Sequence, residues 1–412
     1  MEPFYPALAL TGAVFLVFGV MSKPLRTGLL TAPMLAVGAG ILASTLLGLQ
    51  SHFRLDSPVI GAIGEVALAI VLFTDASGVD RKRLRREWAL PARLLAIGLP
   101  LTMVAGALVG RLVLPDVPWM WLAAIAVILA PTDAALGIAI LLNESVPQRI
   151  RDALNMESGL NDGIALPVLV AVLAALAAPA DASRDLGWIV AAAADIALGA
   201  ALGAAFGVVG GRMVDAAWKR GWIDETFARL VGPGLAILTF TVAHLLDKNG
   251  FVAAYVAGVM LGVRTEGLRE RIRNFGEADG TQFSLLVFLL FGMVFVPATW
   301  SQWTPAVLAY ALLSLTVARM LPVALGLAGC RLGLPTVAFM GWSGPRGIAS
   351  VLYLAMVAQQ FPQRPPVVDA AITLTVLLSV ALHGLSAAPL AAAYGRRCSE
   401  AANPSAKART AA

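Results

Sequence analysis

Charge is scarce in this chain. Only 13% of its 412 residues are Asp, Glu, Lys or Arg, where a soluble domain carries about a quarter. Set against 59% hydrophobic residues and a mean hydropathy of +0.81, that scarcity excludes an ordinary soluble fold. Cysteine is nearly missing. Cys330 and Cys398 fall outside the apolar runs, and their spacing suits neither a metal site nor a disulfide framework. The opening Met1-Glu2-Pro3-Phe4 lacks the basic n-region of a secretory signal, so the first apolar run is expected to stay as a helix. No polar stretch is long enough for a soluble catalytic or regulatory domain, and the residues after Tyr394 read as a short disordered tail. The net charge of +5 does not require a nucleic-acid partner, because in a membrane protein the distribution of charge matters more than its sum.

What is present is apolar and rich in Gly and Pro, with 39 and 24 residues respectively, as membrane-spanning helices tend to be. A search for apolar runs gives about 13 candidate spans, each near the roughly 20 residues that a bilayer demands. They cover 5–21, 28–49, 58–74, 89–113, 119–142, 154–178 and 187–210. The remainder cover 230–246, 250–263, 281–297, 304–327, 335–358 and 367–393. Positive charge orients them. The even-numbered connections hold only Arg54, Arg111, Arg184, Lys248 and Arg364, whereas the odd ones and the C-terminal tail hold nearly all the other Lys and Arg. Lys and Arg collect on cytoplasmic loops, so the N-terminus is expected outside and the C-terminus inside. The densest cluster, residues 81–86, reads as a topology determinant.

Arg93, Arg319 and Arg346 remain inside apolar spans, with Glu65, Asp133, Glu157, Asp162 and Asp195. Each costs about 2.5–3.5 kcal/mol near the bilayer centre, so they mark function more often than decoration. Arg93 sits near a span end and can snorkel; Asp195 has no motif around it and reads as structural. The fifth span contains Pro131-Thr132-Asp133. Pro131 removes a backbone donor and should break the helix there. Unwound backbone at that depth is tolerated where it lines a cavity, and its carbonyls can coordinate a cation. The sixth span contains Glu157-Ser158-Gly159-Leu160-Asn161-Asp162. Ser158 and Asp162 are four residues apart, as are Glu157 and Asn161, so each pair shares a helix face. The twelfth span contains Gly341-Trp342-Ser343-Gly344-Pro345-Arg346-Gly347 and should break as well. Paired, Gly/Pro-interrupted helices at matching positions of two halves point to a transporter site. Arg346 keeps its charge and needs an anionic partner, for which Glu157 is the candidate.

In these residues, together with Leu72-Phe73, Gly250-Phe251, Tyr255, Gly258 and His383-Gly384, the chain resembles the monovalent cation:proton antiporter-1 family, which includes the NhaP-type sodium/proton antiporters. The resemblance runs from about Gly64 to Pro389. It implies an all-α polytopic fold of NhaA-like inverted repeats with two broken, crossing helices. It also implies a homodimer, with residues 1–88 and 187–300 on the dimer side, 89–178 and 304–395 as the ion-transporting core, and 396–412 as a cytoplasmic tail. The implied ion and proton ligands are Asp133, Asp162, Ser158 and the main chain of Thr132. Glu157 with Arg346 would form a supporting pair, Asn161 would mark an electroneutral member, and Glu65 would match an acid near the ion path. The resemblance implies no cofactor and no enzymatic activity. Its substrates would be H⁺ and Na⁺, Li⁺ or K⁺, exchanged across the cell membrane for pH and sodium homeostasis. Ala134-Ala135 departs from the family's usual Pro-Val, which should alter helix geometry without removing a ligand.

Rivals fare worse. Gly341-Trp342-Ser343-Gly344 followed by His383 fits a rhomboid-like intramembrane serine protease, but such an enzyme needs about half as many helices and leaves both aspartates unexplained. An aspartyl intramembrane protease needs a G-x-G-D string, which is missing. A cation channel would use the acids without requiring two broken helices.

Overall fold

The computed structural model describes residues 4–21, 30–46, 48, 58–78, 88–178, 187–224, 227–264 and 283–402. The basic cluster at 81–86, Arg54, Arg184 and the tail beyond Ala402 lie outside the described residues. Those described are helical, with no strand among them.

Eight helices are long and apolar enough to cross a membrane, and five shorter apolar helices accompany them. They follow the candidate spans in order. The first four are α1 (Phe4–Val20), α2 (Ala32–Leu46), α3 (Pro58–Gly78) and α4 (Ala89–Val113). The fifth is split into α5a (Trp119–Ile128) and α5b (Ile138–Leu141). Next come α6 (Gln148–Ala177), α7 (Gly187–Lys219), α8 (Phe227–Leu245) and α9 (Gly250–Arg264). They are followed by α10 (Phe283–Gln302) and α11 (Pro305–Gly326). The twelfth is split into α12a (Leu334–Trp342) and α12b (Ile348–Gln360), and α13 (Pro366–Ala402) closes the described chain.

Both breaks fall where sequence places them, at Pro131 and at Gly344-Pro345. Several boundaries differ from expectation, the start of α6 at Gln148 and the end of α10 at Gln302 among them. Helix α3 continues past Thr74 to Gly78, α7 continues past residue 210 to Lys219, and α13 continues past Tyr394 to Ala402. The last corrects the expected disorder after Tyr394. The Tyr394 ring stacks on Phe339 of α12a at 4.3 Å, and its hydroxyl pairs with Thr336 at 2.9 Å, which ties this end of α13 to its neighbour.

Ten of the thirteen helices sort into two sets, while α1, α2 and α10 pack together against α13. Helices α3, α7, α8 and α9 pack on one another. Small residues let their backbones approach closely: a side chain at Gly203 or Gly207 would strike the α9 backbone at Ala253 or Ala257. In the other set α4 packs on α5a and α11, α6 on α5a, and α11 and α12b on α13. The sets meet along a seam where α3 touches α12b and α6, and α9 touches α6. Two polar residues found within apolar spans serve this framework. Arg93 donates to the carbonyls of Gly326 (2.7 Å) and Ala328 (2.6 Å), capping α11. Asp195 of α7 accepts from the Asn249 amide and lies near Lys248.

Candidate ion-binding site

The two unwound segments, residues 129–137 and 343–347, cross each other. The Asp133 amide donates to the Pro345 carbonyl at 2.8 Å. Its carboxylate reaches the N-terminus of α12b: Oδ2 accepts from the Ile348 amide at 3.0 Å, and Oδ1 accepts from Ala135 at 2.8 Å. A carboxylate is favoured at the positive end of a helix dipole. Gly347 makes this approach possible, because a Cβ there would overlap Asp133 Oδ2. The Ala135 amide remains a donor, so the Ala134-Ala135 departure leaves Asp133 held on both oxygens.

The complementary end carries the opposite charge. Helix α5a stops at Ile128, and the Arg346 guanidinium donates to the Ala130 and Pro131 carbonyls just beyond it. A cation is favoured at this negative end. The Arg346 amide donates to Ser379 Oγ of α13 at 2.6 Å, fixing the break from behind. Arg346 is wholly buried at 0% exposure.

Glu157 does not pair with Arg346, which corrects the sequence expectation. It makes a two-pronged ion pair with Arg319 of α11, at 2.6 and 3.0 Å. Both partners are 1% exposed, and the paired geometry matches the planar guanidinium fork. Arg319 also lies against the α12 break, where a Cβ on Gly344 would meet its guanidinium. The physical reason for the exchange of partners is that the Arg346 guanidinium turns to the carbonyls freed by the α5 break, which leaves Glu157 to Arg319.

Helix α6 presents Ser158, Asn161 and Asp162, all buried. Ser158 Oγ donates to the Thr132 carbonyl at 2.6 Å, and Asn161 Nδ2 donates to Thr132 Oγ1 at 2.8 Å and its carbonyl at 3.3 Å. Asp162 Oδ1 is buried and has no hydrogen-bond partner among the described residues. The structure thus gathers Thr132, Ser158 and Asn161 by direct hydrogen bonds, with Asp133 and Asp162 close enough to interact electrostatically. A small open recess reaches Thr132, Asp133 and Ser158, and runs along Ile140, Leu141 and Leu154.

One acid escaped the sequence reading. Asp75 of α3 is accessible to solvent and interacts electrostatically with both Asp133 and Asp162. Glu65 lies ten residues earlier on α3, about 15 Å along the axis, so Asp75 is the acid of α3 that faces the pair. The signal was the acid directly after Leu72-Phe73-Thr74, in a run assigned to the loop.

The protease arrangement is not formed. Ser343 Oγ donates to the Phe339 carbonyl at 2.6 Å. His383 pairs within α13, with Ser379, and stacks on Trp342 at 4.7 Å. Both cysteines are free thiols.

A family described as "Sodium/hydrogen exchanger, transmembrane" matches residues 11–393. The K(+)/H(+) antiporter NhaP of Alkalimonas amylolytica is 25% identical over 406 residues, covering 95% of this chain and 67% of that protein. The Na(+)/H(+) antiporter NhaS2 of Synechocystis sp. is 26% identical over 253 residues, covering 58% of this chain and 44% of that protein. The solved structure of the sodium proton antiporter MjNhaP1 from Methanocaldococcus jannaschii superposes with a TM-score of 0.75 at 19% identity, covering 96% of this chain and all of that one. That likeness shows the fold.

Proposed function

Since the chain belongs to the sodium/hydrogen exchanger family of multi-pass membrane proteins, we propose that it exchanges one monovalent cation for one H⁺ at Asp133 and Asp162. The observation that carries this reading is the unequal footing of the two carboxylates at one crossing. Asp133 is held on both oxygens by backbone amides, while Asp162 Oδ1 is buried without a partner. A buried carboxylate oxygen is left unsatisfied only at a cost, and a proton or a cation can each satisfy it. The two cannot do so together, and their competition yields exchange.

Asp162 is the carrier and Asp133 a fixed co-ligand. Ser158 Oγ and the Thr132 carbonyl supply neutral oxygens, which suit a hard, partly dehydrated cation. Asn161 is neutral, so one positive charge crosses in each direction and the cycle does not respond to membrane potential. Residues 89–178 and 304–395 act as the moving core, and the remaining helices form the dimer side; rocking across the seam alternates access. The recess runs along Ile140, Leu141 and Leu154, toward the α5b–α6 connection that the Lys/Arg distribution assigns to the cytoplasm. With the N-terminus outside, as that distribution has it, the arrangement is inward-open. The setting is the cell membrane, the assembly a homodimer, and the role pH and sodium homeostasis.

Na⁺, with Li⁺ beside it, is the first candidate cation. K⁺ is the second, supported by the name of the Alkalimonas relative. Proteoliposomes carrying a pH dye test the reading. Addition of Na⁺, Li⁺ or K⁺, but not choline, should move protons, and Asp162→Asn should reduce this to background. Undiminished exchange in that variant would sink the assignment, and a rate that follows imposed voltage would sink electroneutrality.

A further inference from the structure

The seam holds polar groups that the four ion ligands leave unused. Tyr353 lies on α12b, five positions after Ile348, and is fully buried at 0% exposure. Its hydroxyl has no hydrogen-bond partner among the described residues. An unsatisfied buried hydroxyl is unfavourable, so a residue of this kind at a transport site calls for an occupant. Tyr353 lies within electrostatic range of Asp162 on α6, and of Tyr255 and Asp75 on the opposing helices. Asp162 Oδ1 is likewise buried and unpartnered. Neither the phenol nor Asp162 Oδ1 is satisfied by the other.

Tyr255 supplies the wall. It stands on α9, across the seam, and its ring lies flush on the α6 backbone. A Cβ on Gly163, the residue after Asp162, would overlap Tyr255 Cζ, Cε1 and Oη. The recess approaches the crossing from α5b and the start of α6, whereas Tyr353 stands on α12b, beyond the break.

We propose that Tyr353 is a specificity-determining ligand, its hydroxyl oxygen joining Asp162 around the transported cation while Tyr255 seals the far side of that site. The proposal rests on the antiport reading and names a ligand which that reading does not contain. A neutral phenol adds an oxygen without adding charge, so it leaves the exchange electroneutral. It also holds a cation without competing for the proton. Its loss should therefore weaken cation binding by the same factor at every pH.

The test is transport kinetics in proteoliposomes for wild type, Tyr353→Phe and Tyr310→Phe, over several pH values and with Na⁺, Li⁺ and K⁺. Tyr353→Phe keeps the ring and removes one oxygen. It should raise the cation KM about tenfold, the worth of one hydrogen-bond-strength contact. It should also change the order of preference among the three cations and leave the maximal rate intact. Tyr310 of α11 has an equally buried hydroxyl but no place in the site, so Tyr310→Phe should leave KM unchanged. An unchanged KM and cation order in Tyr353→Phe would overturn the proposal, as would a fall in maximal rate and thermal midpoint at constant KM, or an equal rise in Tyr310→Phe. A wild type that moves no protons on cation addition would instead overturn the antiport reading, and this proposal with it.

Discussion

The break in α5 and the break in α12 arise from the same ingredients, Pro among small residues at mid-span, yet they hand their polar groups to different neighbours. The α5 break turns Thr132 toward Ser158 and Asn161 of α6 and sets Asp133 beside Asp162. The α12 break turns several of its polar groups toward α5: the Pro345 carbonyl and Ile348 amide hold Asp133, and Arg346 holds the carbonyls of Ala130 and Pro131. In the proposed exchange, one break carries the chemistry and the other fixes it in place. A Gly/Pro interruption thus marks where a spanning helix opens, while the atoms it faces decide what the opening does.

The support behind this asymmetry breaks most severely at Arg319. Arg319→Ala leaves Glu157 buried without its cation and should cost about 3–5 kcal/mol, read as a fall in thermal midpoint in detergent. A double-mutant cycle should couple Glu157 strongly to Arg319; dominant coupling to Arg346 would restore the pairing expected from sequence. Gly347→Ala should cost less, about 1–3 kcal/mol of overpacking. Its Cβ would displace the Asp133 carboxylate from α12b, so cation affinity should fall while the protein stays folded. Unaltered affinity would show that Asp133 need not be held there. Ser343→Ala, in the same break, should be nearly silent, within about 0.5 kcal/mol and with transport preserved. Loss of transport in that variant would give the α12 break a chemistry of its own.

Much of this was legible beforehand, and the gaps have physical causes. Pro131 and Gly344-Pro345 announce the breaks because Pro lacks the donor and Gly resists the helix wherever they occur. Ser158 and Asp162 share a face by helical periodicity alone. The partner of Glu157 was not legible: Arg319 stands 162 residues away, Arg346 looked equally unpaired, and nothing local reveals that the latter turns to the freed carbonyls instead. Asp75 was hidden by one turn of helix. With α3 ended at Thr74 it belonged to a basic loop; with α3 continued to Gly78 it faces the aspartate pair.

The central claim is that a proton and a cation compete for Asp162, and it is tested most directly without a membrane. Purified protein in weakly buffered detergent solution, titrated with Na⁺ or K⁺ while pH is recorded, should release close to one proton per cation bound. Asp162→Asn should release none. Saturable cation binding to the wild type with no proton release, or release that survives in Asp162→Asn, would contradict the account.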